Sequence, residues 1–533
     1  MRQLPKGFSE LRPHQEKAID EILEAFKEND VVFLDAPTGS GKTLIGYMVA
    51  KEIGKALYVC SDKSLQDQFA RDFDDAKVLK GRSNYPGQHN GAKTAADCTG
   101  SPDQDKRDCL NCESKWTCPY EFAKREAMVA DMAVTNTSYL LAEANYIGGF
   151  SGKDIIIADE GDTLEPILMG FVEYKASTRL MEDVKRDGPK KGCRKPTIIA
   201  WLEEFERDLK GLLAKTSKKD NPKRFNAIKG EISSAFRMQG ELKADIKRMA
   251  SADDEEGGIW LRDYDKPWGR QQADPNPGLI LKPVVVEKHG TRNLWRHGKK
   301  WLVMSATIIS ADEMADTLGL PLDYATVQVA MTFPVANRPV IIAPIAQVTY
   351  KEMETALPKL AYAISVIARN NPGRILVHCV SYDLSKKLAA LVETDRHVIT
   401  YTEGNKREEA LARYKRHDDS IMFAPSMARG IDLPDDLCRT QIIAKCPYPA
   451  LGDKQISQRL HLPGGQMWYT VKTIRDVVQM TGRAVRHDKD WATTYILDAS
   501  FARNVWGKWK RLFPEWWQES VVTDVDVREL ILR

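Results

Sequence analysis

The stretch VVFLDAPTGSGKTLIGYMVAKEI, residues 31–53, decides the fold. It starts with an apolar run of the length of a buried strand and ends with a pattern that is typical of a helix. A glycine-rich turn joins the two, and such a turn directs backbone N–H groups and the positive end of the helix at a phosphate. The sequence therefore predicts a phosphate-binding loop between a strand and a helix. A chance glycine-rich turn is the alternative interpretation.

The loop offers particular atoms to a nucleotide. Lys42 would reach the β- and γ-phosphate oxygens, and Thr43 would be a ligand of Mg²⁺. The general pattern has glycine where this chain has Ala36, so the match is to the variant A-P-T-G-S-G-K-T. We therefore predict that ATP and Mg²⁺ bind here. The predicted nucleotide-binding residues are Ala36, Pro37, Thr38, Gly39, Ser40, Gly41, Lys42 and Thr43.

A phosphate-binding loop needs an acidic group on a neighbouring strand, and the apolar run DIIIAD at 154–159 ends in one. Asp159 would hold Mg²⁺ through water, and Glu160 would orient or deprotonate the attacking water. Taken alone, an acidic pair after a strand is often only a helix N-terminal cap. The loop at 38–43 favours the catalytic interpretation.

Length and composition limit the class of protein. The 533 residues allow three or four domains at about 150 residues each. With 43% hydrophobic and 29% charged residues, the chain is not collagen-like, fibrous or disulfide-rich. No run approaches the ~20 apolar residues of a membrane helix, so we expect a cytoplasmic protein with no membrane partner. The net charge of +3 leaves a nucleic-acid partner open.

Short apolar runs alternate with helical patterns along most of the chain, which is typical of parallel α/β sheets. Two stretches break this rhythm. Residues 82–120 are rich in Gly, Asp, Asn and Cys and predict a loop-built insert, whereas 170–283 predicts a mainly helical, highly charged segment. The predicted strands, in two groups, are 31–37, 55–60, 154–159, 301–307, 373–379, 420–425, 440–445 and 492–498.

Four of the nine cysteines lie close together within the loop-built insert. Four thiolates from one segment suit a tetrahedral zinc site or a [4Fe-4S] cluster. Zinc ribbons usually have two C-x-x-C pairs and this segment has one, so the spacing leaves zinc, a cluster and unrelated thiols open. The predicted metal ligands are Cys98, Cys109, Cys112 and Cys118.

Read together, these motifs resemble those of the superfamily 2 helicases, and within them the iron-sulfur helicases of the XPD/DinG type. The segment LRPHQEKAIDEI at 11–22 is similar to the one in which a glutamine, here Gln15, reads adenine. VCSDKSLQDQF at 59–69 resembles the first DNA-contacting motif. The acidic motif departs from the family's DEAH, because Asp162 replaces the histidine.

The second half of the chain continues the resemblance. Ser305-Ala306-Thr307 is similar to the motif that couples two motor domains, and SMARGIDLP at 426–434, which contains Asp432, resembles a nucleotide- and DNA-coupling motif. QMTGRAVR at 479–486 resembles an arginine-finger motif. An isolated GRxxR is otherwise typical of a surface helix paired with carboxylates. The resemblance implies that Gln479, Arg483 and Arg486 complete the ATP site from the second motor.

The resemblance also favours a [4Fe-4S] cluster over zinc, with one difference from the family. The family's first cysteine commonly follows the KGRxNY segment at once, where this chain has Pro86 and Gly87, so Cys98 would serve from a longer loop.

The resemblance implies that the helical segment is an arch that lines a passage for one DNA strand. Its cations could contact phosphates or simply form a solvated face. Aromatic residues near the cysteines could stack on bases or cover a small core, and the run at 505–520 could pack on the second motor or bind DNA. The cations are Lys215, Lys218, Lys219, Lys223, Arg224 and Lys229, and the aromatic residues are Tyr85, Trp116 and Tyr120.

We therefore expect an α/β chain with two RecA-like parallel-sheet motor domains, an inserted cysteine-rich iron-sulfur domain and a mainly helical arch domain. The predicted function is an ATP-dependent DNA helicase that moves 5′-to-3′ on single-stranded and forked DNA. The resemblance implies that it works as a monomer. A remodelling ATPase that does not separate strands is the alternative, and an RNA helicase a weaker one. The size suits a bacterial or viral member. The expected boundaries are motor 1 at 1–82, 126–169 and 285–325, the iron-sulfur domain at 83–125, the arch at 170–284 and motor 2 at 326–533.

Overall fold

The computed structural model describes most of the chain. Among the predicted site residues, Cys109, Cys112 and Asp432 lie outside the described residues, as do Lys218 and Lys219. The described residues are 2–61, 63–88, 92–98, 114, 116–150, 152–190, 193–217, 220–250, 260–265, 278–402, 406–425 and 433–522.

Strands and helices alternate through most of the chain. The strands are β1 Val31–Asp35, β2 Ala56–Cys60, β3 Lys77–Val78, β4 Met132–Asn136, β5 Ile155–Asp159, β6 Tyr174–Lys175, β7 Trp260–Asp265, β8 Gly278–Pro283, β9 Lys300–Ser305, β10 Tyr324–Gln328, β11 Val340–Ala346, β12 Ile375–His378, β13 His397–Thr400, β14 Ser420–Ala424, β15 Thr440–Ile443, β16 Thr493–Asp498 and β17 Val521–Val522. The helices are α1 Pro13–Ala25, α2 Lys42–Ile53, α3 Lys63–Asp72, α4 Pro119–Val129, α5 Thr137–Tyr146, α6 Leu164–Val172, α7 Thr178–Asp183, α8 Lys195–Ala214, α9 Pro222–Ala250, α10 Glu287–Asn293, α11 Ala311–Thr317, α12 Met353–Asn370, α13 Tyr382–Leu391, α14 Arg407–Arg416, α15 Lys454–Leu460, α16 Gly465–Thr481, α17 Gly507–Trp509 and α18 Glu515–Glu519.

Two parallel sheets organise these elements. The first has the strand order β10-β1-β9-β5-β2-β4-β3, and the second has the order β13-β14-β12-β15-β16-β11-β17. The central strands are buried along nearly their whole length, because helices cover both faces of a parallel sheet. The prediction of an α/β chain with two parallel sheets is confirmed. We call the regions around the first and second sheets motor 1 and motor 2.

The segment between α6 and α10 has a core of its own. Helices α8 and α9 pack along each other, and β6, β8 and β7 form an antiparallel sheet beside them. Residues of both parts share one buried cluster that includes Leu202, Phe205, Leu242 and Leu281. The segment is thus mainly helical, as predicted, with a small sheet that the sequence pattern did not indicate.

The predicted boundary between motor 1 and motor 2 at 325/326 falls inside a strand. β10 pairs in parallel with β1 from Tyr324 to Gln328, so motor 1 extends to Gln328. The strand was missed because it is at the sheet edge, where only Val327 is buried. In the described ranges, helices that combine the length and the apolar character needed to cross a bilayer are absent.

Candidate active site

The phosphate-binding loop lies at the carboxyl end of β1, as the sequence predicts. Gly39 and Gly41 have φ angles of 83° and 80°, which side chains disfavour, so glycine allows the turn into α2. Space is also limited, because a Cβ at Gly41 would lie 2.2 Å from the amide nitrogen of Gln15. Lys42 begins α2, and its ammonium donates to the carbonyl oxygen of Ala36 at 3.1 Å. The Lys42 charge is therefore held beside the backbone that would surround a phosphate.

Gln15 supports this loop from α1. Its amide nitrogen donates to the carbonyl oxygen of Ser40 at 3.1 Å, and its amide oxygen accepts from the backbone N–H of Arg12 at 2.9 Å. A ring nitrogen of His14 lies 3.0 Å from the same Ser40 oxygen. These contacts make Gln15 a support of the loop backbone. Its role in reading adenine stays a prediction.

A carboxylate that the sequence reading did not single out lies directly before the loop. Burial raises the pKa of Asp35 to about 7, against the opposing effects of the Lys42 charge, the Ile308 backbone and the Arg475 charge. Its Oδ1 atom is buried and has no hydrogen-bond partner among the described residues. An acidic residue that ends an apolar strand was the available signal.

Asp159 ends β5 and is held by two donors. The hydroxyl of Tyr58 donates to Oδ2 at 2.8 Å, and the backbone N–H of Glu160 donates to Oδ1 at 3.0 Å. Burial raises the pKa of Asp159, and the charge of Lys42 opposes this effect. Tyr58 is fully buried, and its hydroxyl also interacts with the side chain of Thr43. Tyr58 therefore connects the two predicted Mg²⁺ ligands, whose oxygens are donors that Mg²⁺ accepts.

The backbone is strained directly after Asp159. Glu160 has a φ of 55°, a conformation that a side chain rarely adopts, and such strain concentrates at functional sites. The hydroxyl of Thr163 donates to the Glu160 carbonyl oxygen at 2.7 Å and fixes this turn. A Cβ at Gly161 would lie 2.2 Å from Cγ1 of Val303. Close packing against β9 therefore explains the glycine in this motif.

Asp162, which replaces the family's histidine, starts a chain of hydrogen bonds between the two motors. It is 4% exposed and accepts from the hydroxyl of Ser305 at 2.8 Å. The hydroxyl oxygens of Ser305 and Thr307 lie 3.3 Å apart. Gln479 of α16 donates to the Thr307 hydroxyl at 2.9 Å and accepts from Arg483 at 2.7 Å. We call Asp162, Ser305, Thr307, Gln479 and Arg483 the inter-motor polar chain.

Arg486 lies against the phosphate-binding loop. Its carbonyl oxygen is 3.2 Å from the position that a Cβ at Gly39 would take. Its backbone N–H donates to Oδ2 of Asp490 at 3.0 Å, and Asp490 is fully buried. Oδ1 of Asp490 accepts from Arg439 at 2.7 Å and from the backbone of Asp435 at 3.1 Å. Asp490, which the sequence reading missed, thus positions the backbone of Arg486 beside the loop.

An arginine within α16 also reaches motor 1. Arg475 is buried and donates to the carbonyl oxygens of Thr307 at 3.0 Å and Ile308 at 3.3 Å. Its guanidinium lies 3.7 Å from the carboxylate of Glu313. Arg475 therefore fixes the backbone that follows β9.

The motors meet again at a buried ion pair. Glu165 of α6 accepts from the guanidinium of Arg459, and it accepts from the indole N–H of Trp468 at 3.1 Å. The guanidinium lies 3.9 Å from the centre of the Trp468 ring. Burial acts to raise the pKa of Glu165, but the charges of Arg459 and Lys472 outweigh it and lower the pKa. We call Glu165 and Arg459 the inter-motor ion pair.

Two of the four predicted cysteine ligands are described. Cys98 and Cys118 are half-buried thiols without a disulfide, and Cys118 directly precedes α4. Thiols at the two ends of segment 99–117 fit either a cluster or zinc. Tyr120 is 5% exposed and packs against Tyr85, so these two rings cover a core, whereas Trp116 is 73% exposed.

The other predicted DNA contacts differ in their surroundings. Lys215 and Lys223 are exposed, whereas Arg224 forms an ion pair with Asp183 at 3.2 Å. In the C-terminal run, Trp517 is 1% exposed and packs with neighbouring aromatic rings on motor 2. Packing of this run on motor 2, one of its two predicted roles, is therefore confirmed.

Sequence comparisons match one family model within each motor. Residues 8–161 match the family described as type III restriction enzyme, res subunit, and residues 364–520 match the helicase C-terminal domain. The ATP-dependent DNA helicase chl-1 of Caenorhabditis elegans is 27% identical over 180 residues, which are 30% of this chain and 22% of that protein. A probable ATP-dependent helicase of Methanocaldococcus jannaschii is 27% identical over 194 residues, which are 30% of this chain and 29% of that protein. The chain thus matches less than a third of the length of either relative.

Solved structures share the fold over almost the whole chain. An XPD helicase structure has a TM-score of 0.65 and 18% identity and covers 95% of this chain and 98% of its own. Xpd4 of S. tokodaii has a TM-score of 0.55 and 15% identity and covers 96% and 100%. The fold is thus that of two RecA-like motors, as in these XPD structures. Together with the helicase C-terminal match and the two helicase relatives, the shared fold confirms the resemblance that the sequence motifs indicate. The two relatives are from an animal and an archaeon, so they give no support to the expected bacterial or viral source.

Proposed function

We propose that this chain is an ATP-dependent DNA helicase that moves 5′-to-3′ on single-stranded DNA and separates duplexes. The inter-motor polar chain carries this proposal. A phosphate-binding loop alone supports any nucleotide hydrolase, but hydrogen bonds from the acidic motif to Arg483 link the hydrolytic site to the relative position of the motors. The similar proteins named ATP-dependent DNA helicases support DNA as the substrate.

Motor 1 supplies the groups that hold the phosphates. Lys42 would leave the Ala36 carbonyl for the β- and γ-phosphate oxygens. Thr43 and Asp159 would hold Mg²⁺, which when bound neutralises phosphate charge. Glu160 follows β5 in a strained turn, and its carboxylate would orient the attacking water.

Motor 2 supplies the guanidinium groups. Arg483 and Arg486 would neutralise the charge that develops on the transferred phosphoryl group. Gln479 binds both Arg483 and Thr307, so a shift of α16 moves the arginine relative to motor 1. Alternate closing and opening of the motors would then step the chain along one strand. Asp432 would contribute to nucleotide binding from the motif at 426–434, as the resemblance implies.

We also propose that Cys98, Cys109, Cys112 and Cys118 hold a [4Fe-4S] cluster. The two described thiols fit such a group, and the fold shared with XPD supports the choice over zinc. Anaerobically purified protein should contain iron and sulfide, and Cys118→Ser should lose them. Cys193→Ser, a change of a half-buried thiol outside this segment, should retain them. Stoichiometric zinc without iron would contradict the cluster.

Strand displacement tests the function directly. Duplexes with a 5′ or a 3′ single-stranded tail are incubated with ATP and Mg²⁺, and we expect displacement only from the 5′ tail by a chain that sediments as a monomer. Lys42→Ala should abolish it, whereas Lys387→Ala, an exposed cation of α13, should not. Displacement only from the 3′ tail would contradict the direction. Hydrolysis stimulated by nucleic acid without any displacement would support the remodelling alternative, and preference for an RNA strand would support an RNA helicase.

A further inference from the structure

A cavity lies at the amino ends of the motor 1 strands, whereas the phosphate-binding loop lies at their carboxyl ends. Its wall includes Lys153, just before β5, and Lys299, just before β9. The loop follows the carboxyl end of β1, which runs parallel to β9. Five strand residues span about 16 Å, so the cavity is separate from the ATP site. Its volume is about 320 Å³.

Glycines and cations line this cavity. Gly148 and Gly152 have φ angles of 79° and 85°, and open space surrounds both, so the backbone is accessible there. The facing wall contains Arg296, His297 and Lys299. A concave site with exposed backbone and several cations is suited to phosphate groups.

The positive charge here is only partly neutralised. Lys153 is 3% exposed and donates to the carbonyl oxygen of Ala130 at 2.5 Å, and Arg296 donates to the side-chain oxygen of Asn145 at 3.0 Å. Neither cation has a carboxylate within 4 Å among the described residues, whereas Lys299 pairs with Asp154 at 3.1 Å. A cavity with two cations that lack a carboxylate partner within 4 Å attracts an anion.

The pKa values of neighbouring groups agree with a positive potential in the cavity. Burial, together with the smaller effect of the Arg296 charge, lowers the pKa of His297 to about 4. Burial also lowers the pKa of Lys153, and the charge of Lys55 adds to this effect against the opposing charges of Asp131 and Asp154. Both groups therefore experience neighbouring positive charge.

An exposed aromatic residue, Tyr146, lies between two residues of the cavity wall, Ala144 and Gly148, in the chain. Tyr146 directly precedes the glycine-rich wall and is 59% exposed, and its ring lies 5.7 Å from that of Phe171. Phe171 in turn lies 5.8 Å from the guanidinium of Arg237 on α9. Cations that alternate with aromatic rings are typical of surfaces that bind single-stranded nucleic acid, because phosphates and bases are both satisfied.

We propose that this cavity binds phosphate groups, and that their source is the backbone of a single-stranded nucleic acid. Arg296 and Lys299 contact the phosphates, and Tyr146 stacks on a base. The choice of source rests on the proposed helicase function, whereas the phosphate chemistry rests on the cavity. A free pyrophosphate would satisfy the same cations but would gain nothing from Tyr146.

The test compares Arg296→Gln/Lys299→Gln in the full chain with Arg413→Gln/Lys415→Gln, a matched change of two exposed cations at the end of α14. Anisotropy of fluorescent dT15 is followed without nucleotide at several salt concentrations. Losing two phosphate contacts should reduce the salt slope by about 1.4, so the wild type loses about sevenfold more affinity than the variant between about 50 and 200 mM salt. Tyr146→Leu should weaken binding about tenfold.

Calorimetry with pyrophosphate, with the ATP site filled by ADP, forms the second arm. If the cavity variant loses dT15 binding and the control does not, the nucleic-acid source is supported. If the cavity variant loses only pyrophosphate binding, the cavity is a site for free phosphates. Equal behaviour of the cavity variant and the control in both arms would overturn the proposal. If the wild type binds no dT15, the helicase function fails, and the pyrophosphate arm still decides whether the cavity binds phosphate.

Discussion

The inter-motor ion pair gives the sharpest stability prediction. Glu165→Gln keeps the shape of the side chain but removes the charge that faces Arg459, which is 3% exposed. Breaking one side of a buried ion pair costs about 3–5 kcal/mol, because the other charge stays buried and uncompensated. The Trp468 indole can still donate to the amide oxygen, so we expect a loss near 3 kcal/mol. The control is Asp383→Asn, whose exposed pair with Lys387 should contribute about 0–1 kcal/mol.

Urea unfolding at two pH values measures this effect. The pKa of Glu165 is lowered from 4.5 in the folded chain, so its contribution is present above that value and is lost as the pH falls through the folded pKa. The difference between wild type and Glu165→Gln should therefore be largest near neutral pH and shrink in acid. The double variant Glu165→Gln/Arg459→Met should recover about 1–3 kcal/mol of the loss, since neither buried charge remains. The reasoning would be refuted if Glu165→Gln left the free energy of unfolding unchanged, or if it lowered that free energy by the same amount at both pH values.

Three further changes test the motor 1 site. Tyr58→Phe removes a donor that favours the charged form of Asp159, so the Mg²⁺ concentration for half-maximal binding of a fluorescent nucleotide should rise about tenfold. The control is Tyr47→Phe, which removes a hydroxyl that donates to Asp75. Equal Mg²⁺ dependence in both variants would contradict the role of Tyr58 in supporting Asp159. The pKa of Asp35 is raised to about 7, so the stability that it contributes is present below its unfolded value of 3.8 and is lost as the pH rises through 7. Asp35→Asn should therefore remove a loss of melting temperature that develops between about pH 4 and pH 7, and an unchanged loss over this range would count against it. Gly161→Ala should destabilise the chain by about 1–3 kcal/mol through overpacking on Val303. Adding Val303→Ala to this variant should restore the lost stability. Failure of this rescue would show that the contact with Val303 is not the cause.

Much of the fold follows from local sequence. The apolar runs at 31–37, 55–60 and 154–159 coincide with β1, β2 and β5 to within two residues at each end, because buried parallel strands are nearly continuous apolar runs. Other strands were missed for local reasons. β10 and β13 lie at the edges of their sheets and are half exposed, and β11 contains a proline.

The residues of the candidate site likewise divide into those that local sequence predicts and those that only the fold brings together. The loop at 38–43 and the acidic pair at 159–160 are contiguous motifs, so their chemistry could be predicted from spacing. Tyr58 lies on a neighbouring strand with no local signal, and its role appears only when β2 and β5 pair. Glu165 and Arg459 are 294 residues apart, so only the packed motors bring them together.

The coupling of the motors through Ser305 is the central claim. The most direct measurement follows ATP hydrolysis and strand displacement in one reaction on a 5′-tailed duplex, for the wild type, Ser305→Ala and the control Ser385→Ala, another buried hydroxyl that instead donates to the Phe423 carbonyl. Ser305→Ala should retain hydrolysis to within about tenfold, since the hydroxyl contributes only about 1–2 kcal/mol, while displacement is lost. Ser385→Ala should keep the wild-type number of ATP molecules used per strand displaced. If hydrolysis and displacement fall by the same factor in Ser305→Ala, the inter-motor polar chain does not couple them.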